Sequence, residues 1–183
     1  MKVKDIVLLA ATQLGIADEV QAYLDGEEEN GERNAALLLT CFNVVENELA
    51  LDYLPLYAEE KINTETGKIV YSDLVHSAVR IVKVTDEKGE SIPYKLYAEY
   101  LQTQAGKVTV RYTYTPESKE TDGESDFASP VSERLLAYGI AAEYSLSMGL
   151  LSEAAVWDKK YKESIEAIRS LQSGKRMKSR RWV

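Results

Sequence analysis

Residues 131–171 read VSERLLAYGIAAEYSLSMGLLSEAAVWDKKYKESIEAIRSL and carry the clearest helical pattern in the chain. In the second half of this segment, apolar residues recur at steps of three or four, which is typical of one face of an α-helix. These residues are Leu151, Ala154, Trp157, Tyr161, Ile165 and Ile168. Gly149 separates this helix from an earlier one predicted over Val131–Met148, because glycine accepts the left-handed conformation at a helix C-terminus. The stripe of the earlier helix is expected to contain Leu135, Tyr138, Ala142 and either Leu146 or Tyr144. We therefore predict an antiparallel helical hairpin packed through tyrosine and tryptophan.

The N-terminal part of the chain predicts two further helices. Residues 3–14 place apolar side chains on one face and end at Gly15. Residues 32–51 do the same until Asp52–Pro55 closes the helix, since the residue before proline avoids the helical conformation. The acidic residues 16–32 between them permit a cation site or a docking surface for a basic partner. We predict instead a solvated loop and the first turn of a helix, because the acids lack the alternation of a calcium loop.

Between residues 56 and 115 the apolar period changes from 3.6 to 2, which indicates β-strands. Five strands are predicted, over Leu56–Ile62, Lys68–Tyr71, Val79–Thr85, Ser91–Leu96 or beyond, and Lys107–Thr115. In the last strand Val108, Val110, Tyr112 and Tyr114 alternate with Thr109, Arg111, Thr113 and Thr115. Residues 72–76 predict a short helical or irregular crossing. Strands of this length separated by turns predict an antiparallel meander with one solvated face.

Together these elements predict an α+β fold that is mainly α. The N-terminal helices within residues 3–51 and the C-terminal hairpin within residues 131–171 are expected to form a helical bundle, with the β-meander inserted at residues 56–115. A polar connector over residues 116–130 leads into the hairpin. We predict one domain over residues 1–174, followed by an extended basic tail over residues 175–183.

Composition restricts the classes of function. The net charge of −8 disfavours general binding along nucleic acid, which needs clustered Lys and Arg. The single cysteine, Cys41, is predicted to be a small core residue, and the single histidine, His76, a surface or half-buried polar residue. We expect no signal peptide, no membrane-spanning segment and a soluble protein used without secretion. No phosphate loop, metal-ligand spacing or nucleophile motif occurs, so we expect no catalytic residue, no metal, no cofactor and no enzyme.

Two features of the sequence point to interactions. Tyrosines crowd the β region and its entry, which is typical either of sheet packing or of subunit contacts. The last residues then reverse the charge of the chain: five of the last nine are basic, and the sequence ends Arg180-Arg181-Trp182-Val183 with a carboxylate. Arginine and tryptophan are enriched at interface hot spots, which favours a docking arm. A frayed solubilising tail and a phosphate-binding arm are the alternatives.

Several segments resemble the head–tail connector (adaptor) proteins of tailed bacteriophages and prophages. The resemblance rests on packing residues and spans nearly the whole chain. Its segments are Tyr71–Leu74, Ile81–Asp86, Gly106–Pro116, Ala137–Tyr144, Gly149, Glu153–Trp157 with Tyr161, and Arg180–Trp182.

The resemblance implies a structural protein of the virion neck, between capsid and tail, made in the host cytoplasm. Such adaptors form rings, usually of twelve copies, that bind the portal protein through an extended C-terminal segment and offer a platform for tail proteins. DNA passes through the lumen without sequence-specific binding, and no membrane is involved. The implied portal-docking residues are Lys175, Arg176, Lys178, Arg180, Arg181, Trp182 and Val183. The alternatives are a small binding module of a phage tail, with a ligand-binding β region, and an undetected hydrolase.

Overall fold

The computed structural model describes residues 1–27 and 30–172. Within them the fold is α+β, as predicted, with about half of the residues helical. The chain divides into two compact units. One, the helical unit, is formed by Met1–Glu46 together with the chain from Lys119 onward, and the other, the β unit, is formed by Asn47–Ser118. The prediction of one domain over residues 1–174 stays a prediction beside this division.

The helices largely follow the apolar periods. Their bounds are α1 Val3–Leu14, α2 Ala17–Leu24, α3 Glu32–Glu48, α4 Glu133–Ser147 and α5 Leu151–Gln172. Gly15 ends α1, as predicted, and does so in the left-handed conformation with φ 76°. The prediction of a loop after Gly15 is wrong, because α2 occupies part of that segment. Asp18 and Glu19 lie in its first turn, where acidic side chains suit the positive end of the helix dipole.

The chain stays helical beyond the end of α3, but its hydrogen bonds then span one residue more. After Glu48 the chain continues as a π-helix over Leu49–Tyr53, and the Leu54 amide donates to the Leu49 carbonyl at 2.7 Å. Pro55 follows this wide turn, in agreement with the predicted stop. Periodicity alone did not predict the wider turn.

The α4–α5 hairpin is confirmed. Ser132 caps α4 by accepting the Leu135 amide on its side chain at 3.2 Å, and Gly149 lies in the turn at φ 76°. On opposite sides of that turn the rings of Tyr138 and Trp157 stack, with their centroids 5.8 Å apart. Tyr144, rather than Leu146, belongs to the buried side of α4, because Leu146 is 53% exposed. On α5, Ala154, Tyr161, Ile165 and Ile168 are buried, whereas Leu151 is 66% exposed.

The β unit contains two three-stranded antiparallel sheets. Its strands are β1 Leu56–Thr64, β2 Lys68–Val70, β3 Ala78–Asp86, β4 Lys95–Leu96, β5 Tyr100–Gln102 and β6 Gly106–Tyr114. The strand orders are β1-β6-β3 and β2-β5-β4, so the predicted meander is wrong in its connectivity. The predicted strand over Ser91–Leu96 is mostly irregular, and β5 was not predicted. A 3-10 turn at Tyr71–Asp73 confirms the irregular crossing.

Alternation along β6 separates the two faces of the first sheet. Val108, Val110 and Tyr112 are buried, while Lys107 and Arg111 are exposed. The buried side chains form one core with residues of both sheets and of the crossing between them. That core consists of Ile69, Leu74, Ile81, Val84, Leu101, Val108, Val110 and Tyr112.

Candidate interaction surfaces

The predicted portal-docking residues all follow Gln172. Lys175, Arg176, Lys178, Arg180, Arg181, Trp182 and Val183 therefore lie outside the described residues. Their role stays a prediction from the sequence.

The α4–α5 turn exposes a group of large apolar side chains. Its members are Leu146, Met148, Leu150, Leu151 and Val156. Scattered exposed apolar residues are common on proteins, but four of these five lie within residues 146–151, which makes the turn a candidate interaction site. Sequence periodicity placed Leu151 on the buried stripe and gave Leu146 as an alternative to Tyr144. Periodicity shows which residues share a face of a helix, but not whether another element covers that face.

Two cations surround the stacked pair of Tyr138 and Trp157 on the helical unit. The Arg134 Nε donates to the Tyr138 hydroxyl at 2.6 Å. The Lys160 Nζ lies 4.1 Å from the centroid of the Trp157 ring and 5.6 Å from that of Tyr138. Leu9 and Gln13 of α1 complete a shallow groove of about 460 Å³ along these side chains. Tyr138 and Trp157 are half-buried, and such cation–π contacts fix the orientation of their rings and contribute about 0.5–1 kcal/mol each.

A second groove crosses the solvent-facing side of the first sheet. It has a volume of about 300 Å³ and is lined by Ala50, Leu51, Pro55, Tyr57, Val79, Arg80, Val82, Thr113 and Tyr114. Beside it, the Arg111 guanidinium lies 5.0 Å from the Tyr57 ring centroid, and its Nε lies 3.6 Å from Glu59 Oε1. This side of the sheet therefore combines exposed apolar side chains with paired charges.

The second sheet carries a small aromatic platform. The rings of Tyr97 and Tyr100 stack with centroids 4.6 Å apart, and the Lys68 Nζ lies 4.3 Å from the Tyr100 centroid. Tyr97 is exposed, whereas Tyr112 is fully buried in the core. Tyr112 therefore has the packing role that the sequence offered as one alternative, and a role of the exposed tyrosines in subunit contacts stays a prediction.

A polar network holds the crossing between β2 and β3 against the sheet. The buried Tyr112 hydroxyl donates to the Glu60 carboxylate and accepts the His76 amide at 3.3 Å. The same Glu60 oxygen accepts the Val75 amide at 2.9 Å, and the His76 ring stacks on Tyr114 with centroids 4.2 Å apart. Burial and, as the second cause, the hydrogen bond to Glu60 raise the pKa of Tyr112 to about 12. His76 is half-buried, as predicted, and its contacts are structural.

A buried carboxylate lies in the helical unit. Glu46 is fully buried, and its Oε1 accepts the Ser125 hydroxyl at 2.6 Å and the Asp126 amide at 2.9 Å. Its Oε2 is buried without a hydrogen-bond partner in the described part of the chain. Burial raises the pKa of Glu46 despite the two hydrogen bonds and the charge of Lys119, which lower it. The period of α3 indicates that position 46 is buried, because it lies one turn after the buried Phe42 on the same face of the helix.

The remaining candidates from the sequence have little chemistry to offer. Cys41 is 4% exposed and burial raises the pKa of its thiol to about 11, so it is the core residue that was predicted. Over residues 1–27 and 30–172, no cluster of His, Cys, Asp and Glu side chains could hold a metal ion. Over the same residues, no helix has the length and apolar character to cross a membrane.

The structure therefore offers several surfaces for contacts and a buried polar network in each unit. Comparison with known proteins adds no family to this description. No protein-family model and no curated protein matches the chain.

Proposed function

We propose that this chain is a structural head–tail connector protein of a tailed bacteriophage or prophage. In this proposal it forms a ring, binds the portal protein through residues 175–183, and links the DNA-filled capsid to the tail. It acts in the neck of the virion after synthesis in the host cytoplasm. In this role it binds other proteins and catalyses no reaction.

The observation that carries the proposal is the segregation of charge along the chain. The whole chain has a net charge of −8, and the last nine residues contain five Lys or Arg and no acid, so residues 1–174 carry −13. A short cationic segment with a tryptophan, joined to an acidic body, suits docking onto an acidic partner surface. An acidic ring also suits a passage for DNA, because like charge prevents the duplex from adhering.

The exposed side chains at the α4–α5 turn support the same proposal. Leu146, Met148, Leu150 and Leu151 lie within six consecutive residues and are all exposed. A structural subunit needs such apolar surface for lasting contacts with its neighbours. We assign this surface to contacts with tail proteins or adjacent subunits.

The test is a binding measurement with the portal protein encoded in the same genome. We expect deletion of residues 175–183 to abolish portal binding while the circular dichroism spectrum stays unchanged. The double variant Arg180→Ala/Arg181→Ala should weaken binding about tenfold or more, as hot-spot truncation does. The matched control Lys83→Ala/Lys88→Ala removes the same charge from exposed positions of the β unit and should bind like the wild type. Unchanged binding by the deletion variant would overturn the proposal.

A second candidate function is a binding module of a phage tail. The stacked and partly exposed Tyr97–Tyr100 pair favours it, because such platforms bind sugar rings and peptides. The double variant Tyr97→Ala/Tyr100→Ala distinguishes the two functions. A binding module would lose its retention on purified host cell-wall polysaccharide, whereas a connector shows no such retention in either form.

A further inference from the structure

The first sheet has two edges, and they differ in regularity. Along β3 the pairing with β6 shifts register at two places. Residues that follow β3 also bond to it: the Ile92 amide donates to Val84 O at 3.0 Å, and the Asp86 amide donates to Glu90 O at 3.0 Å. Along β1 the register with β6 runs through all nine residues without a shift. Bulges and covering segments protect an edge from pairing with other chains, and β1 has neither among the described residues.

The burial of inward-facing side chains shows the same difference. Ile81 and Val84 on β3 are buried, as are Val108, Val110 and Tyr112 on the central β6. On β1 the inward-facing Ala58 and Ile62 remain half-buried. A further strand beside β1 would therefore bury apolar surface that the β unit leaves partly exposed.

The sequence of β1 is complementary to itself in one antiparallel register. If two copies of β1 pair about a two-fold axis at Glu60, each Glu59 lies opposite Lys61 of the second copy. Each Ala58 then lies opposite Ile62 of the second copy. Registers centred on Glu59 or Lys61 place like charges opposite each other on the axis and form no Glu59–Lys61 pair to offset that repulsion. A shift by one residue sets inward-facing side chains against outward-facing ones.

The neighbouring charges favour the same register. Glu59 already lies 3.6 Å from the Arg111 Nε on β6, so pairing would place it between two cations in one row of the joined sheet. The row on the axis sets Glu60 against its own copy and is unfavourable. Each Glu60 is held within its own unit by the Tyr112 hydroxyl and the Val75 amide.

We propose that β1 is a dimerisation edge, at which two copies of this chain join their first sheets antiparallel about Glu60. The pairing would continue each three-stranded sheet into one of six strands. The inference rests on β1 and its neighbours alone. It is independent of the connector proposal, which concerns the tail and the portal.

The test uses the charge pattern of the register. In Glu59→Lys and in Lys61→Glu, both charged rows place like charges opposite each other. We expect sedimentation equilibrium of the full chain at low salt to show each variant dimerising about tenfold or more weakly than the wild type. When the two variants are mixed in equal amounts, both rows again join opposite charges. We therefore expect a dimer containing one copy of each variant, identified by native mass spectrometry.

Controls separate the register from a general effect of charge or folding. Lys83→Glu changes an exposed lysine on β3 and should dimerise like the wild type. Circular dichroism must show each variant folded, because Glu59→Lys also removes the contact with Arg111. A monomeric wild type, single variants that dimerise normally, a mixture that stays monomeric, or a larger oligomer indifferent to both changes would each overturn the inference. None of these outcomes bears on portal binding by the tail.

Discussion

Gly139 on α4 faces Val45 on α3 with no room for a side chain between them. A Cβ built at position 139 would lie 2.6 Å from Val45 Cγ1 and 3.0 Å from Tyr161 Cε2 on α5. Side-chain atoms do not approach so closely. The glycine therefore lets three helices of the helical unit meet at one point.

Gly139→Ala is expected to destabilise the protein, although the same change usually stabilises a helix. Removing a helical glycine gains about 1 kcal/mol, but overpacking a close contact costs about 1–3 kcal/mol and the contact here is shorter than any relaxed one. We expect a net loss of about 1–2 kcal/mol in the free energy of unfolding, measured by urea denaturation.

A double-mutant cycle identifies the cause. Val45→Ala removes the atoms that the new methyl group would meet, so Gly139→Ala should cost less in that background than in the wild type. Equal costs in both backgrounds would show that the contact with Val45 is not responsible.

Asn43 on α3 holds the polar segment 116–130, which precedes α4, by two hydrogen bonds. Its Oδ1 accepts the Lys119 amide at 2.7 Å, and its Nδ2 donates to the Lys119 carbonyl at 3.1 Å. Asn43→Ala leaves both backbone groups without these partners, which costs about 1–3 kcal/mol for half-buried groups. Hydrogen exchange should increase over residues 119–127.

Asn43→Asp serves as the matched variant, since it keeps the acceptor for the Lys119 amide and loses the donor to its carbonyl. Its stability should lie between those of the wild type and Asn43→Ala. If the amides of Asn43→Ala exchanged as slowly as those of the wild type, other contacts would hold the segment 116–130.

The helical elements were largely predictable because their periods are long and regular. Tyr138 and Trp157 were expected to pack the hairpin, and they stack. By contrast, β4 and β5 contain two and three residues, which is too short for alternation to appear. Strand order was equally hidden, because the pairing of β6 with β1 and β3 depends on contacts far apart along the chain.

The surfaces were less predictable than the fold. Periodicity places Leu151 on the stripe of α5, yet whether that position is covered depends on how far the neighbouring helices extend. The tyrosines show the same limit, since Tyr57 and Tyr112 both occupy strands but one is exposed and the other buried. The self-complementarity of β1 becomes visible only when its free edge is known.

The buried Glu46 makes stability depend on pH. Because burial raises its pKa above the ordinary value of 4.5, folding favours the protonated carboxyl. Its contribution to stability is therefore complete below pH 4.5 and is lost as the pH rises through the higher pKa of the folded state. Glu46→Gln keeps an oxygen that accepts from Ser125 and Asp126 and removes the charge.

The difference in unfolding free energy, wild type minus Glu46→Gln, should consequently fall as the pH rises from 4 toward 7. Urea denaturation at several pH values measures it. Glu166→Gln on the exposed side of α5 removes the same charge and supplies the control. A difference that rises with pH would mean that the hydrogen bonds from Ser125 and Asp126 outweigh the cost of burial.

Tyr112→Phe tests the network that holds residues 74–77 against the first sheet. The change keeps the buried ring and removes the hydroxyl that joins Glu60 to the His76 amide. Loss of a buried hydrogen bond with a charged partner costs about 1.5–3 kcal/mol, so urea denaturation should show a loss of that order. Because Val75 still donates to Glu60, the crossing should loosen without detaching, and hydrogen exchange at His76 should increase more than at Val75.

Tyr94→Phe is the matched control, since its hydroxyl makes only a 3.5 Å contact with the Ile81 carbonyl and its loss should cost little. Equal losses in the two variants would mean that the Tyr112 hydroxyl does not hold the crossing.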